Sequence, residues 1–314
     1  MIEATHISRH FGRFEALKEI SFFVPRGEIL GIMGANGAGK STLFNILVTL
    51  DDIFGGELRI LGQDARTDQV SIRQKIGYVP GKFSLYGDLT VSENLSFFAS
   101  VYGCRADSVY RNCSSLWKSL EPFSRLQARY LSGGMKQKLS VCCALVHSPE
   151  ILFLDEPTTG IDPLSRHELW QELNHLKAGG TTILVSTHYL EEAFLTDRIL
   201  LLHNGTQLAL DTPGKMISEY KNKLVSISGY PAHALYQILR SMPQAKACYV
   251  YGQTLHMAFP KESPPDLLLQ YCTRAGLDRV DIQPADPDME DVFMEILTTH
   301  SPDPASLPET NSIP

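Results

Sequence analysis

The sequence predicts an α/β core followed by a smaller α+β domain. As far as about residue 220, short and almost wholly apolar segments alternate with helical patterns, and a second, shorter series of strand and helix patterns follows. A chain of 314 residues corresponds to roughly two domains at about 150 residues each. With 43% hydrophobic and 20% charged residues, its composition is that of a globular protein, so wholesale disorder is excluded.

Five apolar segments in the first 220 residues are predicted to be strands. They are residues 28–33, 76–79, 151–154, 181–186 and 198–202. Near-continuous apolar runs of this length are typical of strands that are buried on both faces of a parallel sheet. Between about residues 85 and 148 the strand patterns are replaced by helical ones, at 91–102, 108–120 and 136–147. We therefore expect a helical subdomain inserted into a domain that spans residues 1–220.

Residues 221–298 are predicted to form a second domain with the order βαββαβ, which is the ferredoxin-like split pattern. The predicted strands are 224–228, 247–251, 254–259 and 279–283, the helices between them are 232–241 and 265–275, and a last helix spans 289–298. The tail, residues 299–314, contains four prolines and few large apolar side chains. We expect this tail to be disordered.

Charge and hydropathy restrict the function classes. The 28 basic and 35 acidic residues give a net charge of −7, which argues against a protein that mainly grips nucleic acid. The longest apolar run, residues 141–146, is far shorter than the roughly 18 residues that span a bilayer. No secretory signal is visible, and the six cysteines form no C-x-x-C metal pattern. We expect a cytoplasmic chain that reaches a membrane only through a partner.

The most specific motif is the segment GANGAGKS at residues 34–41, which fits G-x-x-x-x-G-K-S/T between a predicted strand and a predicted helix. Such a loop turns backbone N–H groups toward phosphate oxygens, and the helix N-terminus adds positive potential. Lys40 is expected to reach the β- and γ-phosphates, and Ser41 to bind Mg²⁺. The predicted nucleotide-binding residues are Gly34, Ala35, Asn36, Gly37, Ala38, Gly39, Lys40, Ser41 and Thr42.

The segment LSGGMKQ, residues 131–137, precedes a helical pattern, and its Ser132, Gly133 and Gly134 are predicted to form a second anion site at a helix N-terminus. Together with the phosphate loop, this segment resembles the LSGGQ-like signature of the ATP-binding cassette (ABC) family, with Met135 in place of Gln. The resemblance covers about residues 1–215. It implies a RecA-like phosphate-loop NTPase core with an antiparallel β layer and an inserted helical subdomain.

Two acids, Asp155 and Glu156, follow the apolar segment 151–154. A carboxylate at the carboxyl end of such a strand faces the ligand crevice, where Asp155 is expected to orient the Mg²⁺ shell. The resemblance implies that Glu156 is the general base that polarises the attacking water. It also implies that His188, within STHYLEEA, is the switch histidine that contacts the γ-phosphate.

Three further positions rest on the resemblance. Asp162 ends a segment, residues 158–162, that resembles the D-loop, and Phe11 lies where the family places an aromatic ring that stacks on adenine. Gly81 stands where the family usually carries a Gln that contacts Mg²⁺ and links the nucleotide to the transporter subunit. Without that Gln side chain, we expect ATP hydrolysis to be slower or the coupling to the transporter subunit to follow another route. The alternatives are that a bound water or Lys82 compensates, or that glycine is simply tolerated at this turn.

One phosphate loop and one signature imply a head-to-tail pair that sandwiches ATP, either as a homodimer or with another ABC subunit. Residues 224–297, ending in DMEDVFMEIL, resemble the extension of multidrug and polysaccharide exporter ATPases. The resemblance thus implies an ATP-hydrolysing exporter subunit, peripheral to the cytoplasmic face of the cell membrane and docked on a separate permease. The alternatives are a soluble ABC ATPase acting on ribosomes or nucleic acid, an importer subunit, or a regulatory cassette with weak hydrolysis.

Overall fold

The computed structural model describes residues 1–105, 107, 114–229, 232–261, 267–277 and 280–300. The chain divides into two compact units, Met1–Asp211 and Thr212–Pro314. The division falls earlier than the boundary expected near residue 220, because the Thr212 side chain accepts a hydrogen bond from the Lys215 N–H and begins a helix that packs within the second unit.

The first unit is built on one ten-stranded sheet. Its strands are β1 (Ile2–Phe11), β2 (Phe14–Val24), β3 (Ile29–Met33), β4 (Gly55–Ile60), β5 (Gln63–Asp64), β6 (Ile76–Val79), β7 (Ile151–Asp155), β8 (Thr182–Thr187), β9 (Arg198–His203) and β10 (Thr206–Asp211). Their order across the sheet is β5-β4-β1-β2-β10-β9-β3-β8-β7-β6. Strands β9, β3, β8, β7 and β6 pair in parallel, while β2, β1, β4 and β5 pair antiparallel. The five predicted strands and the α/β fold class are confirmed.

The parallel half of the sheet positions the functional residues. Every residue of β3, β7 and β8 is buried, as their apolar sequences require. In the register of these strands, Met33 lies beside Thr187, and Asp155 lies beside Ser186. The carboxyl ends of β3, β7 and β8 therefore lie side by side at one edge of the sheet, where ligands bind in open α/β folds.

Helices pack against this sheet and form the inserted subdomain. They are α1 (Lys40–Leu47), α2 (Gln69–Arg73), α3 (Val91–Val101), α4 (Ser114–Leu120), α5 (Gly133–Leu145) and α6 (Pro163–Ala178). Helix α3 begins with a capping box between Thr90 and Glu93, and α5 begins earlier than predicted because Ser132 caps it. Residues 108–113 of the helix predicted at 108–120 lie outside the described residues.

The second unit contains helices on an antiparallel sheet. The helices are α7 (Pro213–Ser218), α8 (Ala232–Leu239), α9 (Leu267–Arg274) and α10 (Met289–His300), and the strands are β11 (Lys223–Gly229), β12 (Ala247–Tyr251), β13 (Thr254–Phe259) and β14 (Val280–Pro284). The strand order β12-β13-β11-β14, with antiparallel pairing throughout, is that of the predicted ferredoxin-like pattern. Helix α10 includes the first residues of the predicted tail, and residues 301–314 lie outside the described residues.

Candidate active site

The phosphate loop connects β3 to α1 and depends on its glycines. Gly37 and Gly39 have φ values of +82° and +106°, in the left-handed region that favours glycine. A Cβ on Gly34 would lie 2.1 Å from the carbonyl oxygen of Leu202, so no side chain fits there. The loop is thus a tightly curled backbone cradle immediately before a helix N-terminus, as the motif predicts.

Lys40 places its ammonium group inside this cradle. The side chain is buried, and Nζ donates hydrogen bonds to the carbonyl oxygens of Gly34, at 2.8 Å, and Ala35, at 3.2 Å. Nζ also lies 3.2 Å from Oε1 of Glu156. An ammonium group at this position can exchange neutral carbonyl acceptors for anionic phosphate oxygens, which form stronger hydrogen bonds.

The acidic pair lies at the end of β7. Asp155 is buried and accepts a hydrogen bond from the Ser186 hydroxyl. Glu156 has a φ of +48°, which is uncommon for a residue with a side chain, and its N–H group lies 2.9 Å from Ser186 Oγ. Strain of this kind is concentrated at functional sites, and here it accompanies a carboxylate that reaches Lys40.

His188 follows β8 and completes the cluster. Its Nδ1 lies 3.5 Å from Oε2 of Glu156, and Oε1 of the same carboxylate contacts Lys40. We call these three side chains the Lys40–Glu156–His188 row. The sequence gives the three residues separate roles, and the structure brings them into direct succession at the carboxyl edge of the sheet.

Oxygen donors suited to Mg²⁺ lie beside this row. Ser41 is exposed at the start of α1, and the Asp155 carboxylate lies at the end of β7. A Cβ on Gly81 would lie 3.8 Å from Oδ2 of Asp155, so residue 81 borders the same carboxylate. The described residues contain no group of three or more His, Cys, Asp or Glu side chains that could hold a metal. A hydroxyl and one carboxylate fit Mg²⁺ that takes its remaining ligands from nucleotide phosphates and water.

The signature segment packs against the start of α6. Ser132 caps α5 by accepting a hydrogen bond from the Met135 N–H group at 3.3 Å. A Cβ on Gly134 would lie 2.3 Å from Oγ of Ser165, and one on Gly133 would lie 3.3 Å from the carbonyl oxygen of Gly160. The two glycines therefore permit close approach to the segment that resembles the D-loop.

Asp162 has a structural role that the sequence analysis missed. It caps α6, because its carboxylate accepts hydrogen bonds from the Ser165 hydroxyl at 2.7 Å and the Ser165 N–H group at 2.9 Å. These hydrogen bonds lower the pKa of Asp162. The signal was present, since Asp followed by Pro163 is typical of a helix start. Its predicted contact with nucleotide stays a prediction.

Phe11 lies at the tip of the β1–β2 hairpin, 51% exposed, with the Arg9 guanidinium 4.3 Å from its ring centroid. The hairpin approaches the phosphate loop, because a Cβ on Gly39 would lie 2.9 Å from the carbonyl oxygen of Ala16. The Phe11 ring is exposed, and its stacking on a base stays a prediction. The contact with Arg9 was not predicted.

Comparison with known proteins gives concordant matches. A model of the family described as ABC transporter matches residues 17–159. The probable multidrug ABC transporter ATP-binding protein YbhF of Escherichia coli (strain K12) is 41% identical over 224 residues, which is 71% of this chain and 39% of that protein. This chain therefore spans about two fifths of YbhF. The Nod factor export ATP-binding protein I of Rhizobium sp. (strain N33) is 34% identical over 299 residues, covering 94% of this chain and 96% of that protein.

Solved structures agree in fold. The ATP-binding subunit of an ABC transporter superposes with a TM-score of 0.64 at 32% identity, covering 69% of this chain and 92% of that chain. The ATP-binding cassette MJ0796, in a dimeric post-hydrolysis state bound to ADP and Pi, superposes with a TM-score of 0.62 at 28% identity, covering 68% of this chain and 98% of that chain.

Proposed function

The chain belongs to the ABC transporter family, and we propose that it binds and hydrolyses ATP to drive export through a separate membrane permease. The observation that carries the proposal is the Lys40–Glu156–His188 row beside a glycine-dependent phosphate loop. The relative named for Nod factor export, which matches 94% of this chain, favours export over import. The net charge of −7 disfavours a role on ribosomes or nucleic acid.

In this proposal, ATP binding rearranges the row. Lys40 transfers its hydrogen bonds from the carbonyls of Gly34 and Ala35 to the β- and γ-phosphates and releases Glu156 from its ion pair. The Glu156 carboxylate then accepts a hydrogen bond from the attacking water, and His188 donates to the γ-phosphate. Ser41 and Asp155 would hold Mg²⁺, which supplies positive charge against the phosphates.

Replacing Glu156 tests the proposal. Glu156→Gln removes the general base but keeps the size of the side chain, and general-base catalysis contributes about 10²- to 10⁴-fold. We expect a loss of that size in the steady-state rate of ATP hydrolysis, with ATP binding retained in calorimetry. Glu57→Gln, an exposed substitution on β4, is the matched control. A Glu156→Gln chain that hydrolyses ATP within tenfold of the wild-type rate contradicts the role of Glu156.

We further propose that two cassettes pair head to tail, each ATP lying between the phosphate loop of one and the signature of the other. The chain carries one copy of each motif, residues 34–41 and 131–137, so a two-fold pair completes both sites. MJ0796 is described as dimeric in its nucleotide-bound structure. Glu156→Gln is expected to be a dimer at saturating ATP in size-exclusion light scattering, and a monomer there contradicts the sandwich.

The permease is proposed to dock at an apolar groove beside the Gly81 loop. A cavity of about 250 Å³ lies between the end of β6 and the subdomain helices α3 and α5, with Tyr78, Phe98, Tyr102 and Cys143 among its lining residues. This groove would take a short helix from a membrane protein. No helix in the part of the chain that the structure describes is long and apolar enough to cross a membrane itself. The second unit is proposed to assist dimerisation or regulation.

A further inference from the structure

One aromatic ring connects His188 to α6, the helix that Asp162 caps. The ring centroids of His188 and Tyr189 lie 4.1 Å apart, with the ring planes tilted by 39°. The guanidinium carbon of Arg166, on α6, lies 4.4 Å from the centroid of the Tyr189 ring. Tyr189 thus contacts a candidate catalytic residue and a cation on a different element.

Arg166 is itself paired with two acidic residues, of which Glu192 is buried and Glu191 is exposed. Its Nε lies 3.7 Å from Oε1 of Glu192, a side chain that is only 2% exposed, and its Nη1 lies 4.0 Å from Oε2 of Glu191. The same Oε1 of Glu192 accepts a hydrogen bond from the Trp170 indole. Within the described residues, the Arg166 Nε atom is buried and has no hydrogen-bond partner. The guanidinium group is therefore held by two ion pairs and by its contact with the Tyr189 ring.

The same helix contacts the signature. Arg166 follows Ser165, which is hydrogen-bonded to Asp162 and lies against Gly134. The first turns of α6 therefore contact the signature glycine at one residue and the Tyr189 ring at the next. Ser165, Arg166 and Tyr189 therefore connect the signature to the Lys40–Glu156–His188 row through successive contacts.

We propose that Tyr189 and Arg166 are positioning residues that fix the His188 imidazole, so that it stays aimed at the γ-phosphate during ATP hydrolysis. The inference rests on the proposed function and deepens it. A cation near an aromatic ring, with both groups partly buried, restricts the ring to one placement. The rate of a catalysed step is sensitive to misplacement of a catalytic group by about 1 Å. Tyr189 and Arg166 therefore act on turnover through His188, without touching the phosphate loop.

The test compares steady-state kinetics of ATP hydrolysis in single variants of the full chain. Tyr189→Ala is expected to lower kcat about 10-fold, in the range that loss of a partly desolvated cation–π contact allows, with the KM for ATP unchanged within about twofold. Tyr189→Phe keeps the ring and is expected to restore most of the rate. Phe194→Ala, an exposed aromatic truncation on the neighbouring 3₁₀ helix Leu190–Leu195, is the matched control. Arg166→Met is expected to reproduce the Tyr189→Ala defect.

A double-mutant comparison separates positioning from a general structural effect. If Tyr189 acts through His188, Tyr189→Ala causes no further loss of kcat in a His188→Ala chain. A further loss of about 10-fold in that background overturns the positioning role, as does wild-type kcat in Tyr189→Ala. Either result leaves the proposed function standing, provided that wild-type chain hydrolyses ATP and Glu156→Gln does not. A wild-type chain without ATPase activity overturns the proposed function and this inference with it.

Discussion

The contact between the signature and α6 determines whether Gly134→Ala stabilises or destabilises the first unit. Gly134 is the second residue of α5, where Ala would ordinarily favour the helix by about 1 kcal/mol. Here, however, the new Cβ would lie 2.3 Å from Oγ and 2.8 Å from Cβ of Ser165, well inside van der Waals contact. Overpacking of this kind costs about 1–3 kcal/mol. Because the clash involves a Cβ that cannot rotate away, we take its cost as about 2 kcal/mol. After the helix gain of about 1 kcal/mol is subtracted, Gly134→Ala is expected to destabilise the first unit by about 1 kcal/mol.

For a unit of this size, a net loss of about 1 kcal/mol lowers the unfolding midpoint by roughly 2–4 °C, which calorimetry resolves. Gly214→Ala is the matched control, since Gly214 is also the second residue of a helix and a Cβ there would meet nothing within 4 Å. Ser165→Gly removes both clashing atoms, so the double variant should be about 2 kcal/mol more stable than the sum of the single losses. A Gly134→Ala chain that unfolds at the wild-type temperature, or strictly additive losses, refutes the close packing.

Three other predictions follow from the same geometry. Lys40→Ala should weaken ATP binding at least about 10-fold in calorimetry, because a charge-assisted donor is lost, and undiminished affinity refutes its phosphate role. Gly81→Gln should hydrolyse ATP at an equal or higher rate. The new Cβ would lie 3.8 Å from Oδ2 of Asp155 and 3.2 Å from the Asp155 carbonyl oxygen, so only a small shift of that carbonyl makes room for it. A steep loss of rate would mean that glycine is required at position 81. Burial raises the pKa of Asp291, but hydrogen bonds from His256 and Tyr249 outweigh burial, and the net effect is a lowered pKa. The ionised Asp291 therefore stabilises the fold above about pH 4, and this stabilisation is lost as the pH falls further. Asp291→Asn should cost roughly 3 kcal/mol at pH 7 and flatten the acid dependence of unfolding, whereas an unchanged acid dependence refutes the role of this carboxylate.

Much of the fold follows from local patterns. The apolar runs at 28–33 and 151–154 could be read as buried parallel strands because no other element buries so short a segment on all sides. Once they are strands, the residues after them must meet at one edge of the sheet. That rule predicted the place of Asp155 at the ligand edge, whereas Lys40 was assigned from the phosphate-loop motif and His188 from the resemblance to the ABC family.

Long-range contacts between side chains could not be predicted in the same way. Nothing in the pattern around Arg166 indicates that its guanidinium group packs on Tyr189, since both residues read as ordinary polar positions. The contact of Gly134 with Ser165 is likewise invisible, because helix pairing depends on tertiary packing and not on periodicity. The ion pair of Lys40 with Glu156 also joins two motifs whose separate roles were predicted without it.

We propose that this chain is the ATP-hydrolysing subunit of a transporter whose membrane-spanning part is another protein. Affinity capture of the tagged chain from detergent-solubilised native membranes, followed by mass spectrometry, tests it most directly. We expect a stoichiometric polytopic membrane protein in the captured complex, and the identity of that protein would indicate what is exported. Recovery from the soluble fraction alone, together with ribosomal or DNA-associated proteins, would contradict the transporter assignment and leave only the ATPase chemistry.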